Sequence, residues 1–156
     1  MKTITQLKTL RNILCPLKRT GKIIGLVPTM GALHEGHCSL MRKARRECDI
    51  VIISIFVNPK QFGPQEDFDR YPRQKKKDEL LAQKENVDII WHPSVDQIYK
   101  KDFLTYVEVE RLSGLLCGKS RPGHFKGVTT IVTKLLNETT PDILYLGQKD
   151  GQQALI

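Results

Sequence analysis

Apolar residues recur every three or four positions early in the chain, at Leu7, Leu10, Leu14 and Leu17. This spacing predicts an amphipathic helix capped by Thr3 or Thr5 and ending near Lys18, Arg19 and Gly21. The pattern then changes. Residues 22–28 (KIIGLVP) are a short apolar run closed by proline, which predicts a buried strand. Gly31 and Gly36 bracket a turn, and a helix is predicted over 36–47. Residues 49–57 (DIVIISIFV) are β-branched and apolar on both faces, the composition of a central parallel strand. A helix over 74–86 leads to a third strand, VDIIW (87–91), and alternation in TYVEVE (105–110) predicts a fourth at an edge. A helix over 123–137 precedes a last strand, DILYLG (142–147), and KDGQQALI begins another helix.

Strands alternating with helices imply an α/β fold, a Rossmann-like open and mostly parallel sheet with right-handed crossovers. Ligands of such sheets bind beyond the carboxyl ends of the strands. Residues 28–37, 57–72 and 147–153 are placed there. The second of these, with three prolines and a glycine in 58–72, is a long loop of the kind that carries function.

A length of 156 residues fits one domain, and 40% apolar with 27% charged residues excludes wholesale disorder. No apolar run approaches the roughly 20 residues of a membrane span, and the N-terminus lacks a continuous apolar signal core. The reading is a cytoplasmic protein with no membrane partner. The cysteines are scattered, so reduced thiols are expected, with Cys38 and Cys48 on one helix. The net charge of +8 suits anionic partners. Its densest run, Arg73 to Lys77, is followed by Asp78 and Glu79 and reads as the solvated start of a helix. No aromatic residues interleave with the basic ones, so no nucleic-acid partner is expected. A site for phosphates and a carboxylate would favour the same sign of charge.

The first constellation of chemistry is VPTMGALHEGH (27–37), where His34 and His37 lie around Gly36 at a helix start. Backbone N–H groups and the positive helix end suit phosphate, and two imidazoles can donate hydrogen bonds to charge growing on it. An isolated HxxH is more readily a pair of helix-terminal surface residues. The HxGH form after a strand–PTMG turn resembles the signature of the nucleotidyltransferase superfamily, shared with class I aminoacyl-tRNA synthetases.

The longer context narrows this. PTMGALHEGHCSL, FVNPKQFGPQEDFDRYPR, RPGHFKGV and GQKDGQQ occur in that order and together resemble the pantothenate synthetases, from about Ile23 to Ala154. The resemblance implies an ATP-dependent ligase: pantoate's carboxylate attacks the α-phosphate of ATP, and the amine of β-alanine then displaces AMP from pantoyl adenylate. Magnesium is implied with the ATP, held by phosphates and water rather than by a cage of side chains, with Asp150 as its one candidate contact. On the same resemblance His34, His37 and Lys149 are the catalytic residues. Met30, Gly36, His37, Gly147, Lys149 and Asp150 hold ATP, and Met30, Gln61 and Gln153 hold pantoate. Asn58 and Tyr71 stand at the β-alanine end, Arg121 and His124 belong to a lid, and the protein is a homodimer.

Two departures bear on these roles. The usual motif is close to GEKDYQQ, whereas this chain has Gln148 and Gly151. The glycine loosens a helix start by up to about 1 kcal/mol relative to alanine, and with it the placement of Gln153. The resemblance also places a second nucleotide-binding loop of Ser-Ser-Arg type, and a small C-terminal domain, beyond residue 156. Residues 1–156 are therefore read as an N-terminal nucleotide- and pantoate-binding domain that alone binds but turns over poorly. Two rival readings stand beside this one: another HxGH adenylyl- or cytidylyltransferase, and a non-catalytic nucleotide-binding fragment.

Overall fold

The strongest apolar runs in the sequence pair with each other at the centre of the molecule. In a computed structural model, which describes residues 1–63 and 66–156, β2 (Ile24–Thr29) and β3 (Ile50–Ile55) run parallel over their whole length, from Ile24 opposite Ile50 to Thr29 opposite Ile55. Outside them lie β4 (Ile89–Trp91) next to β3, β1 (Lys2–Ile4) next to β4, and β5 (Ile143–Leu144) next to β2. All pairings are parallel, in the order β1-β4-β3-β2-β5.

Helices cover both faces, as parallel strands buried on two sides require. On one face Ile24, Leu26, Ile52, Ile89 and Trp91 pack with Leu10 and Leu14 of α1 (Leu7–Arg19) and with Ile131 and Leu135 of α6 (His124–Thr139). On the other, Val27, Val51, Ile53 and Ile90 meet Met41 and Ala44 of α2 (Glu35–Glu47) and Ala82 of α3 (Lys75–Lys84). The short helices α4 (Val95–Ile98), α5 (Cys117–Ser120) and α7 (Gly151–Leu155) complete the order, with 3₁₀ turns at Pro59–Gln61, Leu112–Gly114 and Gln148–Asp150.

The α/β expectation holds, with three corrections. Thr3 does not cap α1 but lies in β1, which the helical reading missed because three residues are too short to show a period; Ile4 is pulled into the core and Gln6 takes the cap position. Residues 105–110 form no strand. Val107 instead gives its backbone to side chains of α6: its N–H donates to Thr130 Oγ1 at 3.0 Å, and its carbonyl accepts from Thr129 Oγ1 at 2.6 Å. The last strand is two residues long, not six. The four thiols are free; Cys38 lies within α2, and Cys48 is the residue that caps its end.

The order of strands sets where a ligand fits. From β2 the chain crosses through α2 to β3 on one side, whereas β5 is reached through α6 on the other. The crevice beyond the carboxyl ends of β2 and β5 is thus the switch point of the sheet.

Candidate functional site

The turn after β2 is built by borrowed hydrogen-bond partners. Thr29 Oγ1 donates to the Ser54 carbonyl at 2.8 Å and accepts from Gly31 N–H at 3.2 Å. Gly31 and Ala32 then take left-handed backbone, φ 86° and 51°. Glycine is needed at the first: a Cβ there would stand 3.0 Å from Asp78 Oδ2 and 3.1 Å from Ile55 Cγ2. Asp78, 1% exposed in the first turn of α3, accepts from Ala32 N–H at 3.1 Å and from Leu33 N–H at 2.8 Å. The chain emerges at His34, the N-cap of α2.

Here the two imidazoles make a reciprocal capping box. Gly36 N–H donates to His34 Nδ1 at 3.1 Å, and His34 N–H donates to His37 Nδ1 at 3.3 Å. Gly36 leaves room for this, since a Cβ would come within 2.9 Å of His34 Cε1. A neutral imidazole that accepts at Nδ1 carries its proton at Nε2. His34 and His37, with ring centroids 4.2 Å apart, therefore each retain an outward Nε2–H donor. The amides of residues 31–34 and 36 are already engaged, and the imidazoles add two side-chain donors at the helix start.

Burial, and then the neighbouring His34, hold the pKa of His37 below its ordinary 6.5. Above 6.5 the group is neutral in folded and unfolded chains alike; below it the unfolded chain takes up a proton first. Stability from this group is thus fully present above pH 6.5 and lost as pH falls through the lower folded value. His124 is shifted the same way, first by burial. Ring-proton NMR should show both histidines titrating below 6.5 in the ligand-free chain; a midpoint of His37 above that value would contradict the arrangement.

Lys149 and Asp150 reach the same crevice from the other side. They lie in the 3₁₀ turn after β5, where Asp150 N–H donates to the Gly147 carbonyl at 2.9 Å. Their charges bear on His37 in opposite senses, Asp150 raising its pKa and Lys149 lowering it. Both side chains are exposed.

Asn58 does not face open space. It is 1% exposed, and its four hydrogen-bonding positions are filled. Nδ2 donates to Gln61 Oε1 and to the Gly127 carbonyl, both at 3.1 Å. Oδ1 accepts from Lys60 N–H at 3.2 Å and from Tyr99 OH at 2.8 Å. Its geometry is that of a residue that orients Gln61. Gln61 Nε2 in turn donates to Met30 Sδ at 3.0 Å, joining this loop to the end of β2. Tyr71 is half-buried edge-on to Phe62 at 5.9 Å, and burial raises its hydroxyl pKa.

The lid residues are tied down. Arg121 donates to both oxygens of Glu66, at 2.5 and 2.9 Å, and this pairing with the guanidinium holds the Glu66 carboxyl down to about 2. His124 Nδ1 lies 2.8 Å from the Gln61 carbonyl and Nε2 lies 3.0 Å from Arg121 Nη1. A carbonyl only accepts, so His124 carries its proton at Nδ1, the opposite tautomer from the HxGH pair. Neither ring nitrogen is free.

Gln153 stands half-buried on α7, and no hydrogen bond joins it to Met30 or Gln61 among the described residues. Its neighbour Gln152 anchors that helix by accepting from Cys117 N–H at 3.1 Å and donating to the Leu115 carbonyl at 2.7 Å. A cleft of about 360 Å³ opens on the other side of Met30, beyond the ends of β2, β3 and β4, with Phe56, Phe68 and Asp78 among its walls. Neither His34 nor His37 lines it, whereas His92, Arg73 and Lys75 do.

Asp78, Glu66 and Gln152 were not picked out from the sequence. Asp78 shares the core-facing side of α3 with Ala82, four residues on, a relation that only the packed helix reveals.

The family model of pantoate-beta-alanine ligase matches residues 2–156. The pantothenate synthetase of Carboxydothermus hydrogenoformans is 55% identical over 157 residues, covering all of this chain and 56% of the relative. That of Thermotoga petrophila is 56% identical over 153 residues, covering 98% of this chain and 55% of the relative. The crystal structure of pantothenate synthetase from Thermus thermophilus superposes with a TM-score of 0.94 at 44% identity, covering all of this chain and 55% of that one. The pantoate-beta-alanine ligase of Francisella tularensis, solved in complex with beta-gamma ATP and beta-alanine, superposes at 0.94 with 45% identity, covering 99% of this chain and 59% of that one. The chain spans about half the length of the curated relatives it matches. With the HxGH turn, the switch-point crevice and the match along 2–156 in hand, the chain belongs to the pantoate-beta-alanine ligase family.

Proposed function

We propose that this chain is the N-terminal domain of a cytoplasmic, homodimeric enzyme that condenses pantoate with β-alanine at the expense of ATP, and that it carries the ATP and pantoate sites. The observation that carries the reading is the imidazole pair. His34 and His37 present two Nε2–H donors at the β2/β5 crevice, with Lys149 delivered to the same place by the turn after β5. Supporting it, the related ligase of Francisella tularensis was solved with beta-gamma ATP and beta-alanine.

In this mechanism a carboxylate oxygen of pantoate attacks the α-phosphorus of ATP, and the bond to the bridging oxygen breaks with release of pyrophosphate. The two imidazole N–H groups and the Lys149 ammonium stabilise the negative charge that develops on the phosphates. Gly36 and Gly147 let the nucleotide approach the backbone, and Asp150 accepts from a ribose hydroxyl. Gln61, oriented by Asn58 and backed by Met30, presents its carboxamide to pantoate, with Gln153 opposite; Met30 supplies apolar wall for the gem-dimethyl group. The amine of β-alanine, entering past Tyr71, then attacks the acyl carbon of pantoyl adenylate. The bond to AMP breaks, AMP leaves with the electron pair, and the amine proton passes to solvent. Magnesium held with the ATP would supply further charge neutralisation, and Asp150 would be its candidate side-chain contact. Among the described residues no three His, Cys, Asp or Glu side chains gather as a metal site, so such an ion would be carried with the nucleotide rather than caged by side chains. The chain alone is expected to bind substrates and turn over poorly, because a Ser-Ser-Arg type loop and a closing C-terminal domain complete the site.

The test is AMP release by the complete enzyme supplied with ATP, magnesium and pantoate, with and without β-alanine. The proposal expects pantoate-dependent pyrophosphate formation and AMP release that requires β-alanine. Pyrophosphate formation independent of pantoate would instead identify a different HxGH nucleotidyltransferase.

A further inference from the structure

The carboxylate of Asp78 is out of water, and a buried carboxylate persists only where hydrogen bonds compensate the lost hydration. Its partners are unusual for an aspartate in a helix's first turn. Instead of its own helix it serves two successive amides, Ala32 and Leu33, more than forty residues earlier in the chain. Those amides lie in the stretch that most needs holding. Ala32 is a residue with a side chain at φ 51°, a conformation that costs about 1 kcal/mol or more and persists only where its surroundings impose it. One residue beyond the clamp stands His34, whose backbone N–H aligns His37 and whose ring caps the helix.

We propose that Asp78 is the positioning residue for the imidazole pair: delivered by α3, its carboxylate fixes the left-handed turn at Gly31 and Ala32 and thereby sets where the Nε2–H donors of His34 and His37 point. This rests on the reading that the pair binds the phosphates of ATP. It also gives α3 a function beyond packing. The helix follows directly on the loop that carries Gln61 and Tyr71, so one rigid element ties the acid-binding loop to the nucleotide turn. Asparagine in place of Asp78 has nearly the same shape, but its amide nitrogen meets an N–H donor where an oxygen accepted before, leaving one buried donor unpaired.

The test compares the wild-type chain with Asp78→Asn by titration with ATP and magnesium and by NMR of the His37 ring. ATP affinity should fall at least about tenfold in a variant that keeps the wild-type circular dichroism. The midpoint of His37 should also drop. Among the charges that bear on it, His34 and Lys149 lower its pKa while Asp150 and Asp78 raise it, and the variant removes one of the two that raise it. That drop reports the charge of Asp78 facing the ring, whereas the tautomer reports its positioning: a His37 ring released from the His34 N–H would no longer keep its proton at Nε2, and a merely structural role would leave the tautomer unchanged. A folded variant with unchanged ATP affinity and an unchanged His37 tautomer overturns the inference. Amide exchange in the wild type tests it without any variant: Ala32 and Leu33 N–H should exchange far more slowly than free amides, and exchange at the rate of an open turn would overturn it too. Failure of the wild type to bind ATP would instead count against the proposed function, while His37 and the two amides still judge Asp78.

Discussion

Gly127→Ala is expected to destabilise the chain by about 2 kcal/mol and to weaken pantoate binding beyond that loss. In an exposed helix this change would stabilise by up to about 1 kcal/mol. Here a Cβ would stand 2.2 Å from the Lys60 carbonyl oxygen, 2.4 Å from its carbon and 2.7 Å from Gln61 Cα. These are backbone atoms and cannot rotate away. The 3₁₀ turn at Pro59–Gln61 must lift off α6. That strains Asn58 Nδ2 to the Gly127 carbonyl and the His124 contact to the Gln61 carbonyl, and through them the orientation of Gln61 against Met30. Overpacking of this kind costs about 1–3 kcal/mol, and each buried polar group left unpaired costs a comparable amount. Urea unfolding measures the first effect and titration of the folded variant with pantoate the second. A variant as stable as the wild type, or more so, would show that the loop and α6 do not meet this closely.

Much of the fold was legible because burial on both faces leaves a strong mark. The run at 49–57 and the apolar stretch after Gly21 announce central strands, and helices between them dictate a parallel sheet. Where the mark is short, it misleads. Lys2–Ile4 makes a strand only because β4 offers it an edge, and nothing local distinguishes those residues from the approach to α1. Residues 105–110 alternate as a strand does, yet Val107 gives its backbone bonds to two threonines of α6, a partner that no periodicity within the segment can reveal.

The site divides in the same way. His34, Gly36 and His37 stand out because the histidines are few, and because a glycine between them follows a strand and opens a helix. Legible there was the kind of chemistry, not its wiring. That both rings accept at Nδ1, leaving donors at Nε2, depends on backbone geometry. The motif puts Asn58 at the β-alanine end, and only tertiary contacts with Tyr99 and Gly127 reveal that its polar atoms are all used. Asp78 hid in a charged run, RQKKKDE, whose exposed lysines made the whole stretch look solvated. Its burial becomes visible only when α3 is docked against the turn after β2.

The largest loss of binding is expected from His34→Ala combined with His37→Ala. Each removed Nε2–H would otherwise donate to a charged phosphate oxygen, and hydrogen bonds to charged groups contribute about 1.5–3 kcal/mol. Two together correspond to a loss of roughly 10² to 10⁴ in affinity. Part of any single effect at His34 comes from its cap, worth about 1 kcal/mol of helix stability. His34→Asn separates the two, because asparagine caps a helix well but has no atom at the Nε2 position; it should remain stable and still bind ATP poorly. The most direct measurement is calorimetric titration of ATP with magnesium into the wild-type chain and into the folded double variant. Saturable binding by the wild type, weakened at least about a hundredfold in the variant, is the result expected if the imidazole pair holds the phosphates. Equal affinity in the two proteins would contradict that assignment and, with it, the placement of the nucleotide at the β2/β5 crevice.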